Sequence, residues 1–280
     1  MKLILFTKCF PGKTPAELAE LGAAWGLDGF DLCVRPDYPV NPGNVAAALP
    51  SGVEALRARG LAVPLVTAPG ELVTPDDYGA GPLLDAMNKA GVRLLRLGYF
   101  RFQPIARSYA GEVERIRRIF ADWEKVSRRF NIKICYHTHS NRLMGMNASG
   151  LMHLLSGFDP KCIGAYIDTG HLVSEGENFD TVIAMTHPYL SAVALRDVFL
   201  ERVERNGHGA LKRHWVQAGK GMVDWTAVFE RLREANFEGP LSIQAEFRDD
   251  GGDSVAAVAR EVAFIRERTR EHPPPTGEVR

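Results

Sequence analysis

The 280-residue sequence has no surplus of either charge: 34 Lys and Arg stand against 34 Asp and Glu. With no net field there is no general pull toward nucleic acid or an anionic membrane, and neither is expected as a partner. Long apolar runs are missing too. The opening MKLILFTKCF holds only Leu3–Phe6 as an unbroken apolar stretch before Thr7, too short for a secretion signal. No later stretch reaches the ~18 residues a membrane helix needs. The expectation is therefore a soluble, cytoplasmic protein. Cysteine is scarce: Cys9, Cys33, Cys135 and Cys162 form no C-x-x-C pair, and three lie in or beside apolar runs. They read as reduced core or pocket thiols rather than a disulfide frame or a thiolate metal site. Two catalytic fingerprints are also absent. The first apolar run is followed by Lys8-Cys9-Phe10-Pro11-Gly12 instead of G-x-G-x-x-G, and no G-x-S-x-G marks a serine nucleophile.

What is present is a repeat. Short apolar runs recur at Leu3–Thr7, Gly29–Val34, Leu61–Thr67, Val92–Gly98, Ile132–His137, Ile163–Asp168, Leu190–Asp197 and Leu241–Glu246. The spacing is roughly thirty residues, the length of one βαβ unit. Between the runs, apolar residues fall at helical intervals. Pro15–Trp25 follows Thr14 with Glu17 three residues on, which is capping-box spacing. Glu112–Phe130 carries Val113, Ile116, Ile119, Phe120, Trp123 and Val126 along one face. Asp224 precedes a helix at Trp225–Ala235, and Asp253 or Ser254 opens a last helix to about Arg268. Strands alternating with helices predict an α/β protein with a parallel sheet, and eight units predict closure into a single (β/α)8 TIM barrel. An open doubly wound sheet is the rival. The barrel is expected over residues 1–271, with 272–280, rich in proline, as a flexible tail.

Several runs end in polar residues that a buried strand has no need of. The fifth ends Cys135-Tyr136-His137-Thr138-His139, where alternation puts both imidazoles on one face. The sixth ends in Asp168 and continues Thr169-Gly170-His171. The seventh ends Arg196-Asp197, and the eighth Gln244-Ala245-Glu246. In a barrel these ends converge on the rim where substrates bind. Each has a plainer alternative: Asp168 as a cap for the next turn, Asp197 as an ion-pair partner of Arg196 or Lys220, a lone His as a structural one. Imidazole and carboxylate together suit Zn, Mn or Fe as a divalent cofactor that polarises a carbonyl while a neighbouring group moves a proton.

With these motifs the sequence resembles the xylose-isomerase-like TIM barrels, often labelled sugar phosphate isomerase/epimerase, over nearly its whole length. The resemblance is carried by Asp28-Gly29-Phe30-Asp31-Leu32, Asp168-Thr169-Gly170-His171, Val193-Ala194-Leu195-Arg196-Asp197, Gly219–Trp225 and Gly239–Ile243. It implies a barrel acting on a small carbohydrate, with one divalent metal held by Glu, Asp, His and Glu from the fifth to eighth strands, the two Glu also moving protons. Here His137 stands at the first Glu, Asp168 matches, Ala194 replaces the His and Gln244 the second Glu. Glu246, two residues on, offers a replacement carboxylate, and His171 matches a His that touches substrate oxygens. Gln244-Ala245-Glu246-Phe247 followed by Gly251-Gly252 resembles a less characterised branch with amides or imidazoles at the Glu positions.

The expected function is accordingly isomerisation or epimerisation of a sugar or sugar derivative by metal-assisted proton transfer next to a carbonyl. Glu246, His171 and Asp168 are the expected catalytic residues, and His137, Asp168 and Glu246 the expected metal ligands. Substrate contacts are expected from His139, His171, Arg35, Arg96, Arg196, Asp197, Gln244 and His214. Arg35 and Arg96 stand as carboxylate or phosphate grips or as rim ion pairs, and Trp215 and Phe102 as stacking faces. The Gly219–Trp225 segment reads as a tight turn capped by Asp224, or as a phosphate cradle with Lys220. His208 and His214 are placed in a long loop after the seventh strand, a candidate lid. A lyase or hydratase using the same enolate chemistry, and a non-catalytic sugar-binding barrel, remain alternatives; self-association as a homo-oligomer is left open.

Overall fold

The computed structural model of the chain describes residues 1–247 and 254–271. Gly251-Gly252, Asp253 and the segment 272–280 lie outside the described residues. Eight parallel strands close on themselves: β1 (Lys2–Phe6), β2 (Gly29–Cys33), β3 (Ala62–Thr67), β4 (Leu94–Arg96), β5 (Lys133–His137), β6 (Ile163–Asp168), β7 (Leu190–Leu195) and β10 (Pro240–Ile243). They neighbour one another in chain order, and β10 pairs with β1, with Leu3 opposite Leu241, to seal the ring. All eight apolar runs became barrel strands, and the open sheet is excluded.

The intervening helices are α1 (Pro15–Trp25), α2 (Val45–Arg57), α3 (Ala80–Ala90), α4 (Tyr109–Phe130), α5 (Ala148–Leu155), α6 (Thr169–Ser174), α7 (Phe179–Thr186), α8 (Trp225–Glu234) and α9 (Ser254–Glu271). Local chemistry sets their ends. Thr14 and Glu17 form the reciprocal capping box on α1, and Gly26 in the left-handed region stops it. Asp224 accepts the Ala227 amide to start α8. Along α4 the buried face is Val113, Ile116, Phe120 and Trp123, whose indole N–H donates to the Val73 carbonyl. Among the described residues no helix is long and apolar enough to cross a membrane.

The strands bury two different surfaces. Outward residues such as Leu5, Phe30, Val66, Leu95, Ile134, Ile167 and Val193 join the large core under the helices. Inward residues form a small plug of Ile4, Leu65, Cys135, Tyr166, Ala192 and Ala194. Nearer the carboxyl ends, the inward layer turns polar with Asp31, Thr67, Arg96, His137 and Asp168, all buried. Gly29 is forced where β2 crowds β3, since a side chain there would lie 1.8 Å from the Ala62 carbonyl oxygen.

One expectation is corrected. The segment after β7 is no loop: β8 (Asp197–Arg205) and β9 (His208–Val216) form a nine-rung antiparallel hairpin. Asn206 and Gly207, both at positive φ, make its two-residue turn. That is the backbone a primed hairpin turn demands.

Candidate active site

The layer above the apolar plug is assembled from five strand ends. From β5 comes His137, and from β6 Asp168, their Nε2 and Oδ2 atoms 3.6 Å apart. The two Asp168 oxygens have separate employments. Oδ1 accepts the His171 amide at 2.9 Å and so caps α6, as the plainer sequence alternative held. Oδ2 faces the interior, with no hydrogen-bond partner. The Arg196 backbone is fixed by Thr169, whose hydroxyl donates to the Arg196 carbonyl at 2.7 Å and accepts its amide at 3.0 Å. The Arg196 guanidinium then reaches over Trp215, 5.0 Å from the ring centroid. Its Nε stands 3.2 Å from Asp168 Oδ2, and its Nη2 is ion-paired with Glu246 and donates to Gln244 Oε1 at 3.4 Å. Lys8, just past β1, grips the other Glu246 oxygen.

Below these lies a buried hydrogen-bonded chain. The Gln244 amide donates to the Tyr166 hydroxyl at 3.2 Å, and Tyr166 donates to Asp31 at 3.4 Å. Thr67 and Ser242 complete the Asp31 partners at 2.8 and 3.2 Å. Burial pushes the Asp31 carboxyl up to about 6, against the pull of Thr67 and Arg96. For Glu246 burial acts upward, but Arg196 and Lys8 together outweigh it and hold the carboxyl below its ordinary range.

Three histidines share the hollow. Burial drives His137 and His171 well below the usual imidazole range, and His139 down to about 4, so all three are neutral near pH 7. Their tautomers follow from their partners. The Ser140 amide can only donate, and it points at His171 Nδ1 at 3.4 Å, beside the Ser140 hydroxyl at 2.8 Å. Nδ1 therefore carries the lone pair and Nε2 the proton. His139 is the reverse, because its Nδ1 donates to the Ser140 carbonyl at 2.9 Å. Its ring lies on that of His171, centroids 3.9 Å apart. Among the described residues, His137 has no hydrogen-bond partner at either nitrogen.

Among the described residues, seven buried polar atoms at this mouth thus lack a hydrogen-bond partner: Arg35 Nε, Arg96 Nε, His137 Nδ1 and Nε2, Asp168 Oδ2, His171 Nε2 and Arg196 Nε, the Asp168 and Arg196 atoms facing each other as an ion pair. Those that also lack an ion-pair partner cost about 1–3 kcal/mol each when left unmet. Folded proteins leave few of them, and at such a cluster ordered water or a bound molecule supplies the partners. The backbone carries strain here too: Ala245, between Gln244 and Glu246, sits at φ 48°. That kink, not simple strand alternation, is what brings both flanking side chains to Arg196.

A divalent metal held by His137, Asp168 and Glu246 does not fit this arrangement. The Arg196 guanidinium already lies between the two carboxylates, and Lys8 claims what remains of Glu246. Among the described residues no three His, Cys, Asp or Glu side chains are grouped to hold a metal ion. The remaining expected residues divide. His139, Arg96, Gln244 and Trp215 line or adjoin the cluster. Arg35, at the end of β2, is near enough for Arg96 to feel its charge. Asp197 is not a substrate contact but an anchor, buried and saturated by the amides of Val198, Gly219, Gly221 and Val223 and by the Trp225 indole. Those amides are consequently not free for a phosphate, and Lys220 turns aside to Gln217. His214 pairs with Glu201 across the hairpin at 2.7 Å and does not complete the site. Phe102 packs on Tyr109 instead. Sequence reasoning missed Lys8, Asp31, Tyr166 and Ser140. Lys8 carried a usable signal as a charged residue directly after a strand end, and Asp31 as an acid inside an apolar run.

A profile of the family described as xylose isomerase-like TIM barrel matches residues 19–268. Inosose dehydratase of Clostridium beijerinckii is 26% identical over 155 residues, 49% of this chain and 48% of that protein. Inosose dehydratase of Geobacillus thermodenitrificans is 30% identical over 124 residues, 41% of each. The chain spans about half the length of these curated relatives. Among solved structures, 3-keto-D-glucoside 4-epimerase from E. coli superposes with TM-score 0.72 at 20% identity, covering 95% of this chain and 99% of that one. A probable 3-DHS dehydratase from Bacillus anthracis gives 0.70 at 14%, covering 95% and 99%. At such identities the likeness is one of fold.

Proposed function

The chain belongs to the xylose isomerase-like TIM barrel family, and on that premise we propose that it is an isomerase or epimerase moving a proton next to the carbonyl of a small carbohydrate-like molecule. The observation that carries this is the cluster of buried, unpartnered polar atoms on Arg96, His137, Asp168, His171 and Arg196. Neutral His137 has a lone pair free to take the proton, and Asp168 at 3.6 Å balances the imidazolium that results. Arg196, steadied by Asp168 and Glu246, faces the carbonyl oxygen and stabilises the enolate charge, the work a metal does elsewhere. His171 donates from Nε2 to a second substrate oxygen. Glu246, which the sequence suggests as a proton carrier, is here a brace for Arg196, because two cations depress its basicity. No step passes through a metal.

The second reading is a dehydratase. The same enolate expels a hydroxyl when one lies β to the carbonyl, and the inosose dehydratases that match half the chain favour it. Proton NMR in D2O on a panel of keto-sugars and inososes separates the two. Deuterium wash-in next to the carbonyl with the carbon skeleton intact supports epimerisation or isomerisation, and appearance of an unsaturated product supports dehydration. A panel with neither outcome removes the enolate chemistry altogether.

A further inference from the structure

Among the described residues, two guanidinium groups at this mouth have no carboxylate in ion-pair contact. Arg96, at the end of β4, is 4% exposed, its Nε has no partner, and its guanidinium lies 4.8 Å from the Tyr99 ring centroid and 6.0 Å from that of Phe6. Arg35 is half-buried with its Nε enclosed and unpartnered. Among the described residues neither forms an ion pair. The contrast with their neighbours is what matters. Lys8 and Arg196 are matched by Glu246 and Asp168, two charges against two. Arg96 also feels the buried Asp31 carboxylate, so the four cations Lys8, Arg35, Arg96 and Arg196 face three carboxylates, Asp31, Asp168 and Glu246, and one positive charge is left over. Aromatic faces soften a buried cation without meeting its N–H groups. Holding a guanidinium 4% exposed without an ion-pair partner is costly, and water brings no opposing charge.

We infer that the molecule taken by this site carries an anionic group, carboxylate or phosphate, seated on Arg96 with Arg35 beside it. This rests on the mouth being the substrate site and adds the substrate's class. The planar guanidinium fork suits both oxyanions, with paired N–H donors facing paired oxygens. The sugar ring or chain then extends from that seat toward His137, Asp168 and Arg196.

Isothermal titration calorimetry on the full chain at low salt tests it with three probes: D-fructose, 5-keto-D-gluconate and D-fructose 6-phosphate. At least one anion is expected to bind roughly tenfold or more tighter than fructose, with affinity that falls as salt is added. Which anion wins tells carboxylate from phosphate. Arg96→Met should remove that preference, and Arg35→Gln should reduce it. Should Arg96→Met fail to fold by circular dichroism, the half-exposed Arg35→Gln decides alone. Equal binding of neutral and anionic probes, no binding of either anion, or a preference that survives in every folded variant overturns the inference. Calorimetry reads binding only. Anion selectivity in a protein that never exchanges deuterium sinks the proton-transfer proposal and leaves the anion seat standing.

Discussion

At the scale of single residues, Asp168 shows how one side chain holds structure and chemistry at once. Its Oδ1 starts α6 and its Oδ2 faces the empty partners of His137 and Arg196. Asn keeps the capping oxygen and loses the charge. Asp168→Asn is therefore expected to keep the fold, at some loss of stability from the broken Arg196 pair, and to slow deuterium wash-in by about 10²–10⁴; wild-type exchange in the variant would refute the assigned role. Arg196 permits a complementary test. Arg196→Met leaves Asp168 and Glu246 without the cation between them, which is expected to destabilise by about 3–5 kcal/mol. Millimolar Zn or Mn should then raise the variant's melting temperature and leave the wild type unmoved. A wild type that gains stability from metal contradicts the view that the guanidinium fills the cation position. At this scale the sequence was legible where a polar residue ended an apolar run, as at His137, Asp168 and Arg196. It was silent on pairings made only by closure, such as Asp31 with Ser242 across 211 positions.

At the scale of elements, the turn between β9 and α8 is organised around Asp197. Five N–H groups from Val198, Gly219, Gly221, Val223 and Trp225 converge on its two oxygens. A side chain at Gly221 would come within 2.2 Å of Asp197 Oδ1, so glycine is required there. Asp197→Ala strands those donors, and urea unfolding should show a loss of about 3–5 kcal/mol. Tight binding of a ligand by a fully stable Asp197→Ala protein would mean that the anchor is dispensable. The same residue shows why element-level reading fell short: a strand-end acid among catalytic-looking neighbours has the same letter whether it meets substrate or amides. The hairpin, by contrast, was readable. Asn206-Gly207 between alternating segments is a strong two-residue turn signal, obscured because the barrel repeat made every non-strand segment look like a helix or loop. The outlying His214 belongs to that ribbon and its Glu201 partner.

At the scale of the whole molecule, periodicity sufficed for the barrel, because eight parallel strands buried on both faces leave the same apolar signature eight times. Periodicity says nothing about charges that meet only when the ring closes. Glu261 on α9 illustrates this: burial raises its carboxyl to about 8, and its Oε2 has no partner. A carboxyl whose folded pKa is raised favours the fold while protonated, so this stabilisation is full below the unfolded value, near 4.5, and is lost as pH rises through about 8. Glu261→Gln is expected to match the wild type near about pH 5 and to melt higher near about pH 9. An unchanged difference across that range would show that Glu261 does not titrate with folding.

The central claim is that the unpartnered atoms around His137, Asp168, His171 and Arg196 are where the substrate sits. A crystal soaked with the tightest-binding keto-sugar tests it most directly. The expected density places one ligand oxygen within hydrogen-bond distance of His171 Nε2, a second against Arg196, and the anionic end on Arg96. Density only in the hollow of about 340 Å³ lined by Val34, Leu72 and Tyr78, with the four-residue cluster unaltered, would contradict it.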